Sequence, residues 1–455
     1  MKKLFGTDGI RGKANAYPIT PEIALKAGMA LACYYKRKYP GKKLTAVLGH
    51  DTRVSSSMLQ KAIVSGFFSL GVDVYIVGIM PTPEVAFLTK DLNADFGVMI
   101  TASHNPPCDN GIKIFNSDGY KLSDEDEMKI EELIFENDFT SEMVPGDQVG
   151  RIVSNEKNTD NRRYMQFAKK AIKNIPLSDY KIVLDCANGA ASKIAPELFM
   201  NLGVDLISVG TETDGKNINV NCGATYPEKI SKLVKEFRAD LGISFDGDAD
   251  RVIFCDSDGN IINGDRIIAI CALDYKKRNL LKGNAVVVTA MTNLGFHEAM
   301  KKFGIQVIVS EIGDRYVIEE MRKNDCNIGG EQSGHIIFLD HGTTGDGIIT
   351  ALHILEIMEK ENKSLKELAD CMDEFPQELK NYTVKEKIPF EQCPVIFKEI
   401  ENCRSALGSE GRILIRYSGT ESKIRVLIEA KHESDVKYWS DRIGQAIREE
   451  LAPWK

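Results

Sequence analysis

Phe96-Gly97-Val98-Met99-Ile100-Thr101-Ala102-Ser103-His104-Asn105-Pro106-Pro107 opens as a strand and closes as a loop. Its first five residues form an apolar, β-leaning run of the kind buried on both faces of a sheet. Asn-Pro marks a turn, and two successive prolines remove two backbone donors, so the strand stops there. A serine hydroxyl is thereby carried to a strand's carboxyl end, where open α/β sheets place their ligand crevice. His104 stands beside it, and Lys113 follows on another short apolar run, Gly111-Ile112-Lys113-Ile114-Phe115. Together they read as a nucleophile with proton-handling and phosphate-binding neighbours. Taken alone, Thr101 to Pro106 reads first as an ordinary ST-turn before a proline stop.

The chain, however, repeats the arrangement. Leu70-Gly71-Val72-Asp73-Val74-Tyr75-Ile76-Val77-Gly78 recurs as Leu202-Gly203-Val204-Asp205-Leu206-Ile207-Ser208-Val209-Gly210, and more loosely as Phe303-Gly304-Ile305-Gln306-Val307-Ile308-Val309. Downstream, Ala94-Asp95-Phe96-Gly97 is echoed by Ala239-Asp240-Leu241-Gly242 and by Cys326-Asn327-Ile328-Gly329. Each copy runs into a polar loop: Ser103-His104-Asn105, then Asp246-Gly247-Asp248-Ala249-Asp250-Arg251, then Gly330-Glu331-Gln332-Ser333-Gly334-His335. Three related α/β units, each offering one chemical loop at the equivalent strand end, are poorly explained by chance.

Composition bounds the rest. The chain has 455 residues, 43% hydrophobic and 27% charged, which suits a soluble globular protein of three or four domains. A net charge of −8 argues against a general role on nucleic acid or membrane surfaces, so positive contacts to an anionic substrate must be local. No apolar run approaches the roughly 20 residues that span a bilayer, and the N-terminus lacks a signal-peptide core. Ten cysteines without a Cys-x-x-Cys pair, several in strand or helix positions (Cys33, Cys186, Cys255, Cys271), read as buried reduced thiols of a cytoplasmic protein.

Phe5-Gly6-Thr7-Asp8-Gly9-Ile10-Arg11-Gly12 is a glycine-rich loop that permits close backbone approach and holds the fixed charge of Arg11, although Asp-Gly alone would signal a hairpin. Thr20-Pro21 gives a helix N-cap and first-turn proline, with Ile23, Ala27, Leu31 and Tyr34 at helical spacing. The acidic run Asp124 to Glu132 reads as a solvated helix face, and Thr211 to Cys222 as a surface loop. From about Glu378 the pattern changes to strand, helix, strand, strand, helix, a small α+β domain unrelated to the repeat. Its loop Arg416-Tyr417-Ser418-Gly419-Thr420 gathers a guanidinium, two hydroxyls and a glycine backbone, the parts of an anion cradle, in what is otherwise a plain hairpin.

Asp246, Asp248 and Asp250 are spaced so that an extended loop brings them to one hard cation, and Mg²⁺ favours such oxygen ligands. The glycine falls between the first two aspartates and no glutamate sits at the expected distance, which weakens a calcium-loop reading. The usual fate of Asp-Gly-Asp is a solvated turn; the third aspartate and Arg251 after a buried strand favour metal.

At this point the four loops Thr101–Pro106, Asp246–Arg251, Gly330–His335 and Arg416–Thr420 resemble the signature loops of the α-D-phosphohexomutases, in that family's order and spacing. Within the superfamily, Phe5–Gly12, Gly313-Asp314-Arg315-Tyr316 and Glu331-Gln332-Ser333 are most similar to the branch acting on glucosamine phosphate. One departure is Ser422 after Thr420-Glu421, where a proline is common. The resemblance implies an α/β fold of three similar mixed α/β domains in tandem plus a C-terminal α+β domain, with the active site in the central cleft. The expected domains are residues 1–152 with a phosphoserine loop, 153–254 with a metal loop, 255–374 with a sugar loop, and 375–455 binding phosphate. It further implies a mutase in which Ser103 carries the phosphoryl group through a bisphosphorylated sugar, feeding amino-sugar nucleotide and cell-wall precursors. Ser103, Asp246, Asp248 and Asp250 would hold Mg²⁺; Glu331 and Ser333 would hold sugar hydroxyls; Arg416, Ser418, Gly419 and Thr420 would grip the distal phosphate. Arg11, His104, Lys113, Arg251 and His335 are candidates for proton transfer or transition-state charge. A bisphosphorylated hexosamine would serve as activator. The expected partner is a small sugar phosphate, with neither nucleic acid nor membrane, and a homodimer is compatible with the sequence. The same chemistry on glucose or mannose phosphates, a metal-dependent sugar phosphatase, and a sugar-phosphate-binding regulator remain as alternatives. The serine loop disfavours the last two.

Overall fold

Phe96–Ile100 is a strand with every residue buried, and it is the third strand of a unit built three times over. In a computed structural model of the chain, which describes residues 4–6, 8–136, 138–153, 162–172, 177–418 and 422–451, three sheets share one topology. The first runs Asp73–Ile79, Thr45–His50, Phe96–Ile100, Asp109–Asn116 across the sheet, parallel in its first two pairings and antiparallel in the third. Asp205–Val209, Lys181–Asp185, Leu241–Phe245 and Val252–Asp256 repeat that order and those directions. Gln306–Ser310, Ala285–Thr289, Ile328–Gly330 and Ile336–Phe338 do so again. The central strands Phe96–Ile100, Leu241–Phe245 and Ile328–Gly330 are buried at every residue, as strands covered on both faces are.

In all three copies the chain reverses between the third and fourth strands, and that reversal is the polar loop: Ser103, then Asp246 to Asp250, then Glu331 to His335. The repeat therefore determines which strand end carries chemistry. The first sheet is extended by Gly9–Lys13 and Phe5–Gly6, so Asp8-Gly9 is both a hairpin and a close approach. Gly9 sits at φ +78°, and a Cβ there would lie 2.3 Å from the Ile112 carbonyl.

The helix Pro21–Lys38 begins as expected, with Thr20 Oγ1 accepting from Ile23 N at 3.3 Å. Leu59, Ile63 and Phe67 line the buried face of Ser56–Ser69. Two expectations are corrected. The acidic helix Asp124–Glu136 is not a wholly solvated face: Glu127 and Glu131 are buried, on the side that carries Ile130 and Ile134. Glu131 Oε2 accepts from Leu4 N and Phe5 N at 2.8 and 3.2 Å, and Glu127 Oε1 from Arg315 Nη2 at 2.7 Å. The stretch Thr211 to Cys222 is likewise not merely a surface loop, since Ile218 and Cys222 are buried.

The chain divides into two compact units, Met1–Met291 with Phe303–Cys371, and Thr292–Lys302 with Met372–Lys455. In the second, Gln377–Thr383, Lys423–Ala430 and Gly411–Tyr417 form an antiparallel sheet, with the long strand central. Helices Pro394–Leu407 and Glu433–Leu451 pack on it through Ile396, Ile400, Cys403, Trp439, Ile443 and Ile447. The helix Leu294–Lys302 joins this unit: Leu294 N donates to Glu429 Oε1 at 2.5 Å, and Asn293 Nδ2 to the Phe375 carbonyl at 3.0 Å. Every cysteine is free, and all but Cys108 and Cys371 are buried. Among the described residues no helix is long and apolar enough to cross a membrane.

Candidate functional site

Ser103 does lie in an ST-turn, since Thr101 Oγ1 accepts its amide at 2.9 Å. That turn supports the chemistry rather than replacing it. It holds Ser103 at φ +50°, a left-handed conformation that costs a non-glycine residue on the order of 1–3 kcal/mol. In this pose the serine is 1% exposed, and its Oγ donates to Asp246 Oδ2 at 2.5 Å. His104 Nδ1 lies 3.3 Å from Ser103 Oγ. Burial, followed by Arg251 and Arg11, pushes the His104 imidazole down to about 4, so at neutral pH it is an uncharged acceptor.

The three aspartates converge, each offering one oxygen within 4.8 Å of the others. All are buried, which a solvated turn would not be. Among the described residues Asp248 Oδ1 and Asp250 Oδ1 have no hydrogen-bond partner, while the opposite oxygens are engaged. Asp248 Oδ2 accepts from Thr82 Oγ1 at 2.5 Å and Lys113 Nζ at 2.9 Å; Asp250 Oδ2 accepts from Lys113 Nζ at 2.9 Å. Carboxylates fixed on one side, with free oxygens on the other, fit a hard divalent cation. Burial, then the charges of Asp248 and Asp250, pushes Asp246 well above the usual carboxylate range. Asp250 moves the other way: burial opposes its ionisation, but Lys113, His335 and Arg251 prevail.

Lys113 is 1% exposed and completes a trio of ion pairs with Asp8 Oδ2 at 3.2 Å. Against burial, Asp248, Asp250 and Asp8 raise its pKa, so it is a fixed charge and not a proton acceptor at neutral pH. Asp8 also pairs with Arg11 and Lys121, and Lys121 bridges on to Asp314. Asp314 Oδ2 lies 3.5 Å from His335 Nε2, and neither ring nitrogen of His335 has a hydrogen-bond partner among the described residues. The chain of charges thus runs from the serine loop's domain to the third loop. In that loop Glu331 accepts from Gly313 N and Ser333 Oγ, each at 3.2 Å. Arg251 donates its amide to Asp246 Oδ1 at 3.2 Å and sets its guanidinium 3.9 Å from Asp250 Oδ1.

In the second unit, Arg416 lies directly opposite Arg425 across the antiparallel pair. Like charges so placed repel unless an anion joins them. Burial, then Arg425, lowers the Arg416 pKa, and Arg425 Nε is buried without a hydrogen-bond partner among the described residues. Ser418 is buried beside them. Gly419 and Thr420 lie outside the described residues.

Asp8, Thr82, Lys121, Asp314 and Arg425 were given no role by sequence reasoning. Asp8 and Asp314 sit inside quoted motifs, and Arg425 follows the tail loop on a predicted strand. What was missing is pairing: which strand lies beside which, and at what register.

The chain matches the phosphoglucomutase/phosphomannomutase profiles for α/β/α domain I at residues 2–141, domain II at 162–259, domain III at 263–375 and the C-terminal domain at 379–446. It belongs to this family, the α-D-phosphohexomutases. Similar proteins include the phosphoglucosamine mutases of Geobacter sp. (strain M21), 49% identical over 99% of both chains, and of Lawsonia intracellularis, 45% identical over 99% of both. Among solved structures, a phosphoglucomutase/phosphomannomutase family protein from Burkholderia thailandensis has the same fold, with TM-score 0.78 and 23% identity over 98% of this chain and 99% of the other.

Proposed function

We propose that the chain is a phosphoglucosamine mutase, interconverting glucosamine 6-phosphate and glucosamine 1-phosphate through a phosphorylated Ser103. The observation that carries this reading is the left-handed serine whose Oγ faces Asp246, beside two carboxylates each with an oxygen that has no hydrogen-bond partner among the described residues. A phosphatase or a regulator has no use for a phosphorylatable hydroxyl held in that pose. The choice of glucosamine among hexoses is supported by full-length relatives of 45–49% identity bearing that name.

In the forward direction the Ser103 Oγ–P bond breaks and the sugar's 1-hydroxyl oxygen takes the phosphoryl group, giving the 1,6-bisphosphate. After the intermediate turns over, the bond from O6 to phosphorus breaks and Ser103 is phosphorylated again. No phosphate is lost, and a trace of bisphosphate loads enzyme that has lost its own. Asp246, Asp248, Asp250 and a phosphoserine oxygen would hold Mg²⁺, which when bound neutralises charge on the transferring group. Arg11 and Arg251 supply fixed positive charge beside it, and Lys113 keeps the aspartates from repelling one another. His104, uncharged at neutral pH, and His335, whose ring nitrogens have no hydrogen-bond partner among the described residues, take and return the hydroxyl protons. Glu331 and Ser333 bind sugar hydroxyls; Arg416, Ser418, Gly419 and Thr420, with Arg425, bind the phosphate that is not reacting.

The test is a parallel assay of glucosamine, glucose and mannose phosphates with catalytic bisphosphate, monitoring isomer and inorganic phosphate. Isomerisation with the highest kcat/KM on glucosamine phosphate and no phosphate release is expected. A higher kcat/KM on glucose or mannose phosphate would overturn the substrate, and net phosphate release the reaction. Ser103→Ala should be folded, inactive and, by intact mass, unphosphorylated.

A further inference from the structure

The backbone of the serine loop is gripped by two side chains that the mechanism above does not use. Arg53 has a fully buried side chain paired with Asp51, its Nε lying 2.8 Å from Oδ2. Its remaining four N–H groups all donate to carbonyls of the serine loop and its exit. One Nη1 hydrogen goes to Pro106 and the other to Asp109 at 2.9 Å. Nη2 donates to Ser103 at 3.0 Å and to Asn105 at 2.8 Å. No guanidinium donor is left over. From the second domain, Asn219 Nδ2 donates to two of the same carbonyls, Ser103 at 2.8 Å and Asn105 at 3.1 Å. Asn219 belongs to the stretch that reads as a surface loop, and it sits at φ +60°, which asparagine tolerates.

A buried arginine could serve only to close a packing gap. Three features argue for more. All four terminal N–H groups land on the serine loop and its exit; the Ser103 carbonyl is held from two domains at once; and the residue so held is in a left-handed conformation it would otherwise leave. Relaxing φ at Ser103 would swing Oγ away from Asp246. We infer that Arg53 and Asn219 are positioning residues, a two-domain clamp that keeps the phosphoryl-carrying hydroxyl aimed at the aspartate loop in both half-reactions. This inference rests on Ser103 being the phosphoryl carrier. Among the described residues neither side chain hydrogen-bonds to the three aspartates, although Asn219 Nδ2 lies against Gly247 of their loop, so the clamp should act on the geometry of transfer and leave the metal ligands themselves untouched.

Arg53→Lys keeps a charge opposite Asp51 but cannot span four carbonyls, while Asn219→Gly keeps the left-handed backbone and removes only the amide. Steady-state kinetics on glucosamine phosphate, thermal unfolding, and calorimetric titration of the protein with Mg²⁺ would be run on both variants and on Ser103→Ala. A misplacement of about 1 Å at a reacting atom costs roughly a hundredfold, so kcat should fall about ten- to a hundredfold. KM should stay within about threefold and Mg²⁺ affinity should be unchanged, since uniform binding is untouched. The clamp is overturned if Asn219→Gly keeps wild-type kcat, if the loss appears in KM alone, or if Mg²⁺ affinity falls in step with kcat. Should Arg53→Lys unfold, Asn219→Gly alone decides by the same criteria. Full activity in Ser103→Ala would instead remove the carrier assignment itself, a different failure.

Discussion

Replacing Lys113 by Met removes one charge from the centre of the buried network while keeping most of the side chain's length and volume. Its ammonium lies 2.9 Å from Asp248 Oδ2, 2.9 Å from Asp250 Oδ2 and 3.2 Å from Asp8 Oδ2, with 1% of the side chain exposed. At an effective dielectric constant of about 20, each contact is worth on the order of 5 kcal/mol of gross attraction, most of it offset by desolvation. The net cost of removing one partner from a buried pair is about 3–5 kcal/mol, because the partners stay buried and unpaired. At about 2.1 cal/mol/K of unfolding entropy per residue, a unit of roughly 360 residues loses about 1.3 °C of Tm per kcal/mol, so Lys113→Met in EDTA should melt roughly 4–7 °C below wild type. Divalent cation should then matter more to the variant than to the wild type, since it enters a site that has lost a positive neighbour. At one saturating Mg²⁺ concentration the gap should close by RT ln of the ratio of the two Kd values, about 1.4 kcal/mol for each tenfold by which the variant binds more tightly. The assay is thermal unfolding of both proteins in EDTA and in Mg²⁺, with no substrate. A variant that melts with wild type in EDTA, or a gap of equal size in both buffers, would refute the electrostatic account of the aspartate loop.

Asp248→Asn should raise the Mg²⁺ concentration needed for half-maximal rate while shifting Tm far less, because Thr82 and Lys113 still hold its other oxygen; activation curves and melting curves together check this. Arg416→Ala should lower kcat/KM about ten- to several-hundredfold, from charge-assisted hydrogen bonds of roughly 1.5–3 kcal/mol each, while intact mass still finds phosphate on Ser103. Asp346, buried at the N-cap of Gly347–Glu361, has its carboxyl pushed up to about 6 by burial, above an ordinary value of 3.8. Its raised pKa favours the folded state fully below 3.8, and that contribution is lost as pH rises to about 6, so Asp346→Asn, which keeps the cap oxygen, should gain Tm over wild type between pH 4 and 7. A difference in Tm that does not change with pH would contradict that assignment.

What the sequence made legible is local. Phe96 to Pro107 reads as strand and loop because apolar run, turn signal and paired prolines are contiguous, and the twofold recurrence of that pattern marks the other two chemical loops. Pairing is not contiguous, and there the reading stopped. Asp8 reaches Lys113 only because Gly9–Lys13 lies antiparallel to Asp109–Asn116; Arg425 meets Arg416 only through strand register; Thr82 meets Asp248 only through packing of two domains. Glu127 and Glu131 are a different case. They share the helical spacing of Ile130 and Ile134, so their burial was available from periodicity, and their charge drew the eye away from it.

The same pattern explains why three copies of one unit are not redundant. Each copy contributes one loop, and the loops are tied together across domains: Ser103 donates to an aspartate of the second domain, that domain's Asp248 is held by Thr82 and Lys113 of the first, and Lys121 carries charge on to Asp314 of the third. The interactions that pin these domains together are therefore the interactions that set the site's electrostatics. A substitution that leaves a buried charge of this network unpaired, such as Lys113→Met, should move stability and chemistry together, and the informative exceptions are Asp248→Asn, whose engaged oxygen stays held, and side chains such as Asn219 that hold backbone and leave the charges alone.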